Sequence, residues 1–244
     1  MALPAQQIKT KAKALLALGA AGLLAAGAQA QSSCASDGAP PPTRLVERFI
    51  NAGCEACWGD AATPAAPKDA AVLDWIAPNA QGDDAPLSAA ALREATWRLQ
   101  ALATPLPAKT TTISLPVVPG GPPLRVAHGL AVNGYLGASV VLTLSADQAR
   151  QAEQQGWNVW LIVVEAIAAG SDGTPVARNL VRNTLQPRWN WLSQPANAAG
   201  KLEFADTRPM SLPQGVKPER LAVLGWVQDS RGRVVAAAQS RCKP

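Results

Sequence analysis

The sequence predicts an α/β domain followed by a small all-β, sandwich-like domain. From residue 44 to residue 156, short apolar runs typical of strands alternate with segments of helical periodicity. From residue 157 to residue 244, five strand-like runs follow one another at regular spacing, separated by turns rich in Gly, Asp and Pro. A domain boundary is therefore expected near residue 156.

The N-terminus has the features of an export signal. Lys9, Lys11 and Lys13 precede an apolar segment that ends in Ala28-Gln29-Ala30, where small residues suit signal peptidase. We expect residues 1–30 to be a signal peptide and residues 31–43, rich in Ser and Pro, to be a surface leader.

Cleavage of this signal would change the charge of the chain. The formal charge of +5 would lose three lysines and no acids, and would become +2. So small a charge, without a stripe of Lys and Arg, is not typical of a nucleic-acid-binding protein. No later segment is long and apolar enough to span a bilayer, so we expect a periplasmic or secreted protein without a membrane anchor.

The predicted α/β domain begins with a buried strand at residues 45–50. Gly53 then supplies a turn, and the following helix is short because Gly59, Pro64 and Pro67 interrupt it. Residues 70–78 form a second predicted strand. Residues 85–103 have helical spacing, with Ser88 as the expected N-cap.

The rest of this domain carries two strong turn signals. Pro-Gly-Gly-Pro-Pro at residues 119–123 predicts a hairpin, and Asn133-Gly134 leads to a further strand. Residues 145–155 are a polar helix with Ser145 as its cap. The order strand, helix, strand, helix, hairpin, helix is typical of a thioredoxin-like sandwich. We therefore expect a thioredoxin-like domain at 44–156 and a β-sandwich-like domain at 157–244.

The chain has four cysteines, which allow three pairings. Cys54 and Cys57 are separated by two residues, whereas Cys34 and Cys242 lie near the two ends of the mature chain. Exported chains rarely keep free thiols. Once the close pair is satisfied, Cys34 and Cys242 are the only partners left to each other, so we expect a structural disulfide between them.

The stretch "VERFINAGCEAC" (residues 46–57) resembles the opening motif, V-E-x-[FY]-x-x-x-G-C-x-x-C, of a secreted thioredoxin-like family of unknown function. The likeness extends weakly to "LAVNG" and to "NLVRNTL" with "LAVLGWVQDSRGRVVAAA", which are similar to that family's third strand and β-rich C-terminal part. The resemblance implies a thioredoxin-like fold with Cys54 and Cys57 as its redox pair.

The chemistry expected of this pair follows from its position. A cysteine at the first turn of a helix meets unpaired backbone N–H groups, which favour the thiolate. Cys54 would be the attacking sulfur and Cys57 the resolving one. Glu55 lies between them and its negative charge opposes the thiolate, while Trp58 is placed to cover the site. Both residues are expected to modulate the pair.

Other uses of the pair stay open. A permanently oxidised, structural pair fits the same spacing. Zinc commonly requires four ligands, and haem attachment requires a histidine directly after Cys57, where the chain has Trp58. Copper bound by Cys54, Cys57 and the single histidine, His128, is geometrically conceivable. A half-buried strand residue is the more usual role for such a histidine, and no cofactor or metal is expected.

These observations favour an exported thiol–disulfide oxidoreductase of the periplasm that acts on a protein thiol or disulfide. The alternative is a non-catalytic periplasmic binding or assembly module built on the same scaffold. The redox potential of Cys54–Cys57 separates the two, because catalytic pairs fall between roughly −270 and −120 mV and structural pairs below about −300 mV.

Overall fold

The structure, a computed structural model, describes residues 34–242. The predicted signal peptide, residues 1–30, lies outside the described residues, as do the first three residues of the predicted leader. In the described part of the chain, no helix has both the length and the apolar character that a membrane span requires.

The described residues are mostly β, with 44% in strands and 15% in helices. In chain order the elements are β1 (Cys34–Ala35), β2 (Arg44–Asn51), α1 (Glu55–Trp58), β3 (Ala70–Ala77), α2 (Arg93–Ala101), β4 (Thr110–Pro116), β5 (Leu124–Val132), β6 (Tyr135–Leu144), α3 (Ala146–Gln154), β7 (Asn158–Ile167), β8 (Arg178–Leu185), β9 (Leu202–Ser211), β10 (Leu221–Gln228), β11 (Val234–Gln239) and β12 (Arg241–Cys242).

The strands form two sheets. One has five strands in the order β12-β1-β5-β6-β9, and the other has seven in the order β11-β10-β7-β8-β3-β2-β4. β3 pairs in parallel with both β2 and β8, and the other pairings between these strands are antiparallel.

The predicted fold class, a thioredoxin-like α/β domain followed by a small all-β sandwich-like domain, is wrong. Four strands from the C-terminal part of the chain, β7, β8, β10 and β11, join β2, β3 and β4 in one sheet, and β9 joins β5 and β6 in the other.

The physical reason lies in β7, which is apolar on both faces. Val159, Leu161 and Val163 belong to a core that contains residues of both sheets, whereas Trp160 and Ile162 belong to a second core that includes residues of β2 and β3. A strand buried on both faces needs cover on both sides. It therefore occupies the middle of a larger structure instead of one face of a small sandwich.

The turn signals had different outcomes. Asn133 and Gly134 have φ of 50° and 77° and connect β5 to β6, as expected for a tight hairpin turn. The predicted hairpin at Pro-Gly-Gly-Pro-Pro is wrong, because residues 117–123 carry the chain from β4 in one sheet to β5 in the other. A Cβ on Gly121 would lie 1.8 Å from the Val235 carbonyl oxygen, so this crossing requires glycine.

The two helix caps also differ. Ser145 accepts from the backbone N–H of Gln148 while the Gln148 side chain accepts from the Ser145 N–H, so the predicted cap is confirmed as a capping box. The cap predicted at Ser88 is wrong. Ser88 lies in a separate 3₁₀ turn, and α2 begins later, at Arg93.

The seven-stranded sheet curls around the second core. Val117, directly after β4, forms a parallel bridge with Val234 of β11, so the two edges of the sheet approach each other. Inside this core the Arg98 guanidinium of α2 binds the buried Glu47 carboxylate, with Nη2–Oε2 2.6 Å. The guanidinium carbon of Arg98 lies 5.3 Å from the centre of the Trp160 ring. A buried charge pair with an aromatic partner thus fixes α2 on the sheet.

Candidate functional site

Cys54 and Cys57 form a disulfide at the junction of β2 and α1. β2 ends at Asn51, a short turn follows, and α1 begins at Glu55. Cys54 is half-buried, whereas only 8% of the Cys57 surface is exposed. Cys54 is therefore the more accessible cysteine of the pair.

Amide side chains fix the turn before the pair. The Gly53 N–H donates to Asn51 Oδ1 at 2.8 Å, and Asn79 Nδ2 donates to the same oxygen at 2.9 Å. A Cβ on Gly53 would lie 2.4 Å from Gln81 Oε1 and 2.5 Å from Asn79 Nδ2. A side chain at this position would displace these amides, so the turn before the cysteine pair is closely packed.

Arg178 of β8 holds the other end of the cysteine segment. Its Nη2 donates to the carbonyl oxygens of Cys57 and Trp58, at 3.3 and 3.0 Å, and to Thr63 Oγ1 at 3.1 Å. Its guanidinium carbon lies 5.3 Å from the centre of the Trp58 ring. The cation thus binds backbone carbonyls at the end of α1, where positive charge is favourable.

Beneath this segment lies a buried ionic cluster of Arg48, Asp74 and Arg178. Asp74 is fully buried; its Oδ2 accepts from Arg48 Nη2 at 2.8 Å and its Oδ1 accepts from Arg178 Nη1 at 3.2 Å. The Asn179 N–H donates to Asp74 Oδ2 at 2.8 Å. Burial lowers the pKa of Arg178, and the charge of Asp74 acts against that shift. Two buried cations therefore share one buried carboxylate.

The sequence motifs described above do not single out Asp74 or Arg178, and both charged residues are buried. The available signal was the position of Asp74 within "AAVLDWIA", where every neighbour is apolar. A charge in such a run needs a buried partner.

The two expected modulating residues take different positions. Glu55 is exposed in the first turn of α1. Trp58 is half-buried and its Nε1–H donates to the Asp172 carbonyl oxygen at 2.8 Å, in the turn between β7 and β8. Trp58 is thus tied to this turn, whereas Gly53, Glu55 and Ala56, which flank the two cysteines in the sequence, are all exposed.

Cys34 and Cys242 form the second disulfide, so the expectation of disulfides is confirmed. Cys34 of β1 stands opposite Cys242 of β12 and, on its other side, opposite His128 of β5. The bond joins residues 208 positions apart. All four cysteines of the chain are consequently paired.

His128 lies beside the second disulfide. Its side chain is 5% exposed, and burial lowers the pKa of its imidazole. Among the described residues, the group of His, Cys, Asp and Glu side chains close enough to share a metal ion is Cys34, His128 and Cys242. The copper site considered for Cys54, Cys57 and His128 is therefore not assembled.

A cleft of about 440 Å³ has none of the four cysteines in its lining. It is lined mainly by apolar parts of residues 39–43, 117–124 and 235–239. Two of these segments are rich in proline. None of the lining residues belongs to the Cys54–Cys57 segment.

Comparisons of this chain with protein families, with curated proteins and with solved structures find no match. The likeness of "VERFINAGCEAC" to a secreted family consequently stays a prediction made from the sequence.

Proposed function

We propose that this protein is an exported thiol–disulfide exchange protein whose reactive pair is Cys54–Cys57. The observation that carries the proposal is the unequal exposure of the two cysteines, with Cys54 half-buried and Cys57 8% exposed. Exchange requires one sulfur that a partner can reach and a second that is held beside it. In this pair Cys54 is the accessible sulfur and Cys57 is the buried one beside it, at the turn that follows β2.

The reaction proceeds through a mixed disulfide. A substrate thiolate attacks the Cys54 sulfur, the Cys54–Cys57 bond breaks, and Cys57 leaves as a thiolate. A second substrate thiolate then attacks the substrate sulfur, which closes the substrate disulfide and releases Cys54 as a thiolate. Two electrons and two protons pass from the substrate dithiol to the pair, and the reverse sequence reduces a substrate disulfide.

The anchoring of the segment supports reversible exchange. Arg178 holds the carbonyl oxygens of Cys57 and Trp58, and Asn51 holds the N–H of Gly53, so none of these contacts uses a cysteine sulfur. Opening the disulfide leaves them intact. The two thiols therefore stay close enough to re-form the bond.

The proposed compartment is the periplasm or the exterior of the cell. All four cysteines are paired, and disulfides persist in oxidising compartments. The expected signal peptide at residues 1–30 points the same way. The proposed partner is a protein thiol or disulfide.

A non-catalytic binding module is the second candidate function. The observation that favours it is the apolar cleft at residues 39–43, 117–124 and 235–239, which has no cysteine in its lining. In that function the Cys54–Cys57 bond would only brace its turn, together with the buried cluster of Arg48, Asp74 and Arg178.

The redox potential of the Cys54–Cys57 pair separates these candidates. The protein is equilibrated with dithiol/disulfide buffers of known potential, and each pair is followed by differential alkylation and mass spectrometry. We expect a potential between roughly −270 and −120 mV for Cys54–Cys57. A value below about −300 mV, equal to that of Cys34–Cys242, would contradict exchange and favour the binding module.

A further inference from the structure

Cys242, Cys34 and His128 form a row across three adjacent antiparallel strands, β12, β1 and β5. Cys34 pairs in register with Cys242 on one side and with His128 on the other. Residues directly opposite each other in neighbouring strands project from the same face of a sheet. One potential ligand atom from each residue lies within 4.8 Å of the other two.

The imidazole of His128 has one ring nitrogen without a partner. Nδ1 lies 2.9 Å from the carbonyl oxygen of Gly129, whereas Nε2 is buried and makes no hydrogen bond. A carbonyl bound to one ring nitrogen fixes the tautomer and leaves the other nitrogen as an electron-pair donor, as in metal-binding histidines. A buried polar atom without a hydrogen-bond partner costs free energy. Nε2 of His128 is therefore a candidate ligand atom for a metal ion.

We propose that the dithiol form of Cys34 and Cys242, together with Nε2 of His128, is a binding site for a monovalent copper ion. The cysteines are thiols when the chain is made, so the dithiol form precedes the disulfide. Binding replaces the two thiol protons by one Cu⁺, and no electron is transferred. The disulfide and the metal exclude each other because both use the same two sulfurs.

The ligand set favours monovalent copper over zinc. Thiolates are soft ligands that select Cu⁺ or Zn²⁺, and imidazole suits both copper and zinc. With three protein ligands zinc would need a water as its fourth ligand, whereas Cu⁺ accepts three ligands, so the row as it stands completes a Cu⁺ site. Cys242 is exposed while Cys34 and His128 are buried, so the ion has a path of entry from the surface at Cys242. The proposal is independent of the exchange proposed for Cys54–Cys57.

The test uses a full-length chain in which Cys54 and Cys57 are replaced by serine, so that only one cysteine pair remains. The protein is reduced with a phosphine under nitrogen and given Cu⁺ in competition with bicinchoninate. We expect one Cu⁺ per chain, and an X-ray absorption spectrum with two sulfur ligands and one nitrogen ligand. Two sulfurs in a linear, two-coordinate site would overturn the proposal, because His128 would then not be a ligand.

Two further variants identify the role of the histidine. In the same background, His128→Phe should weaken Cu⁺ binding by at least about tenfold, the loss typical of even an outer-shell partner of a metal site. Ser139→Ala is the matched control, since Ser139 pairs with Ala127 in the same ladder, and it should leave the affinity unchanged. Equal affinities of the parent and His128→Phe would overturn the proposal. Circular dichroism of the reduced parent must show the strand signal, and binding only by an unfolded chain would count against the site.

Discussion

Replacing Cys34 and Cys242 together by serine is expected to lower the free energy of unfolding by about 5 kcal/mol. The bond closes a loop between residues 208 positions apart, and in the chain-entropy model a longer loop gives a larger stabilisation. The bond also joins β1 and β12, which are only two residues each. Urea unfolding followed by circular dichroism measures the effect.

The matched control is the double replacement of Cys54 and Cys57 by serine. These residues are three positions apart, so the same model gives a loss of only about 2 kcal/mol. If the two double variants were equally stable, loop closure could not be the source of the stabilisation by Cys34–Cys242.

Replacing Asp74 by asparagine is expected to destabilise the protein by about 3–5 kcal/mol, because it leaves buried charges without a counter-ion. Arg48 and Arg178 both bind this carboxylate, and their side chains are 6% and 1% exposed. Asparagine keeps the size of the side chain and removes the charge. The measurement is again the free energy of unfolding in urea.

Two controls sharpen this experiment. Asp83→Asn removes an exposed carboxylate in a 3₁₀ turn and should change stability by less than about 0.5 kcal/mol. The double variant Arg48→Met/Asp74→Asn should be destabilised by less than the sum of the single losses, since it also removes one of the two buried cations. Strict additivity would show that the cluster does not act as a unit.

Local features of the fold could be predicted from the sequence. Each of the five strand-like runs after residue 156 coincides with a strand, β7 to β11, and the cysteine pair lies at the junction of β2 and α1. The Asn133-Gly134 turn and the Ser145 cap form as predicted. All of these depend on neighbouring residues, whose spacing and turn chemistry are visible in the sequence.

Features set by distant parts of the chain could not be predicted in the same way. The order of strands and helices around β2 and β3 led to the expectation of a thioredoxin-like sandwich. The pattern of apolar residues within one strand, however, does not show which other strand it pairs with. β3 pairs with β8, and Asp74 binds Arg48 and Arg178, which lie 26 and 104 positions away. The row of Cys242, Cys34 and His128 likewise depends on strand order, which places β1 between β12 and β5.

The most direct test of the proposed function compares the reactivity of the two cysteines one at a time. Cys57→Ser leaves the Cys54 thiol and Cys54→Ser leaves the Cys57 thiol, and each variant is mixed with oxidised glutathione while adduct formation is followed by mass spectrometry. We expect Cys54 to form the mixed disulfide at least about tenfold faster than Cys57, because thiol reactivity follows exposure. In the reduced parent protein the adduct should not accumulate, since Cys57 displaces glutathione as the pair closes. Equal rates for the two cysteines, or no adduct on Cys54, would contradict the account.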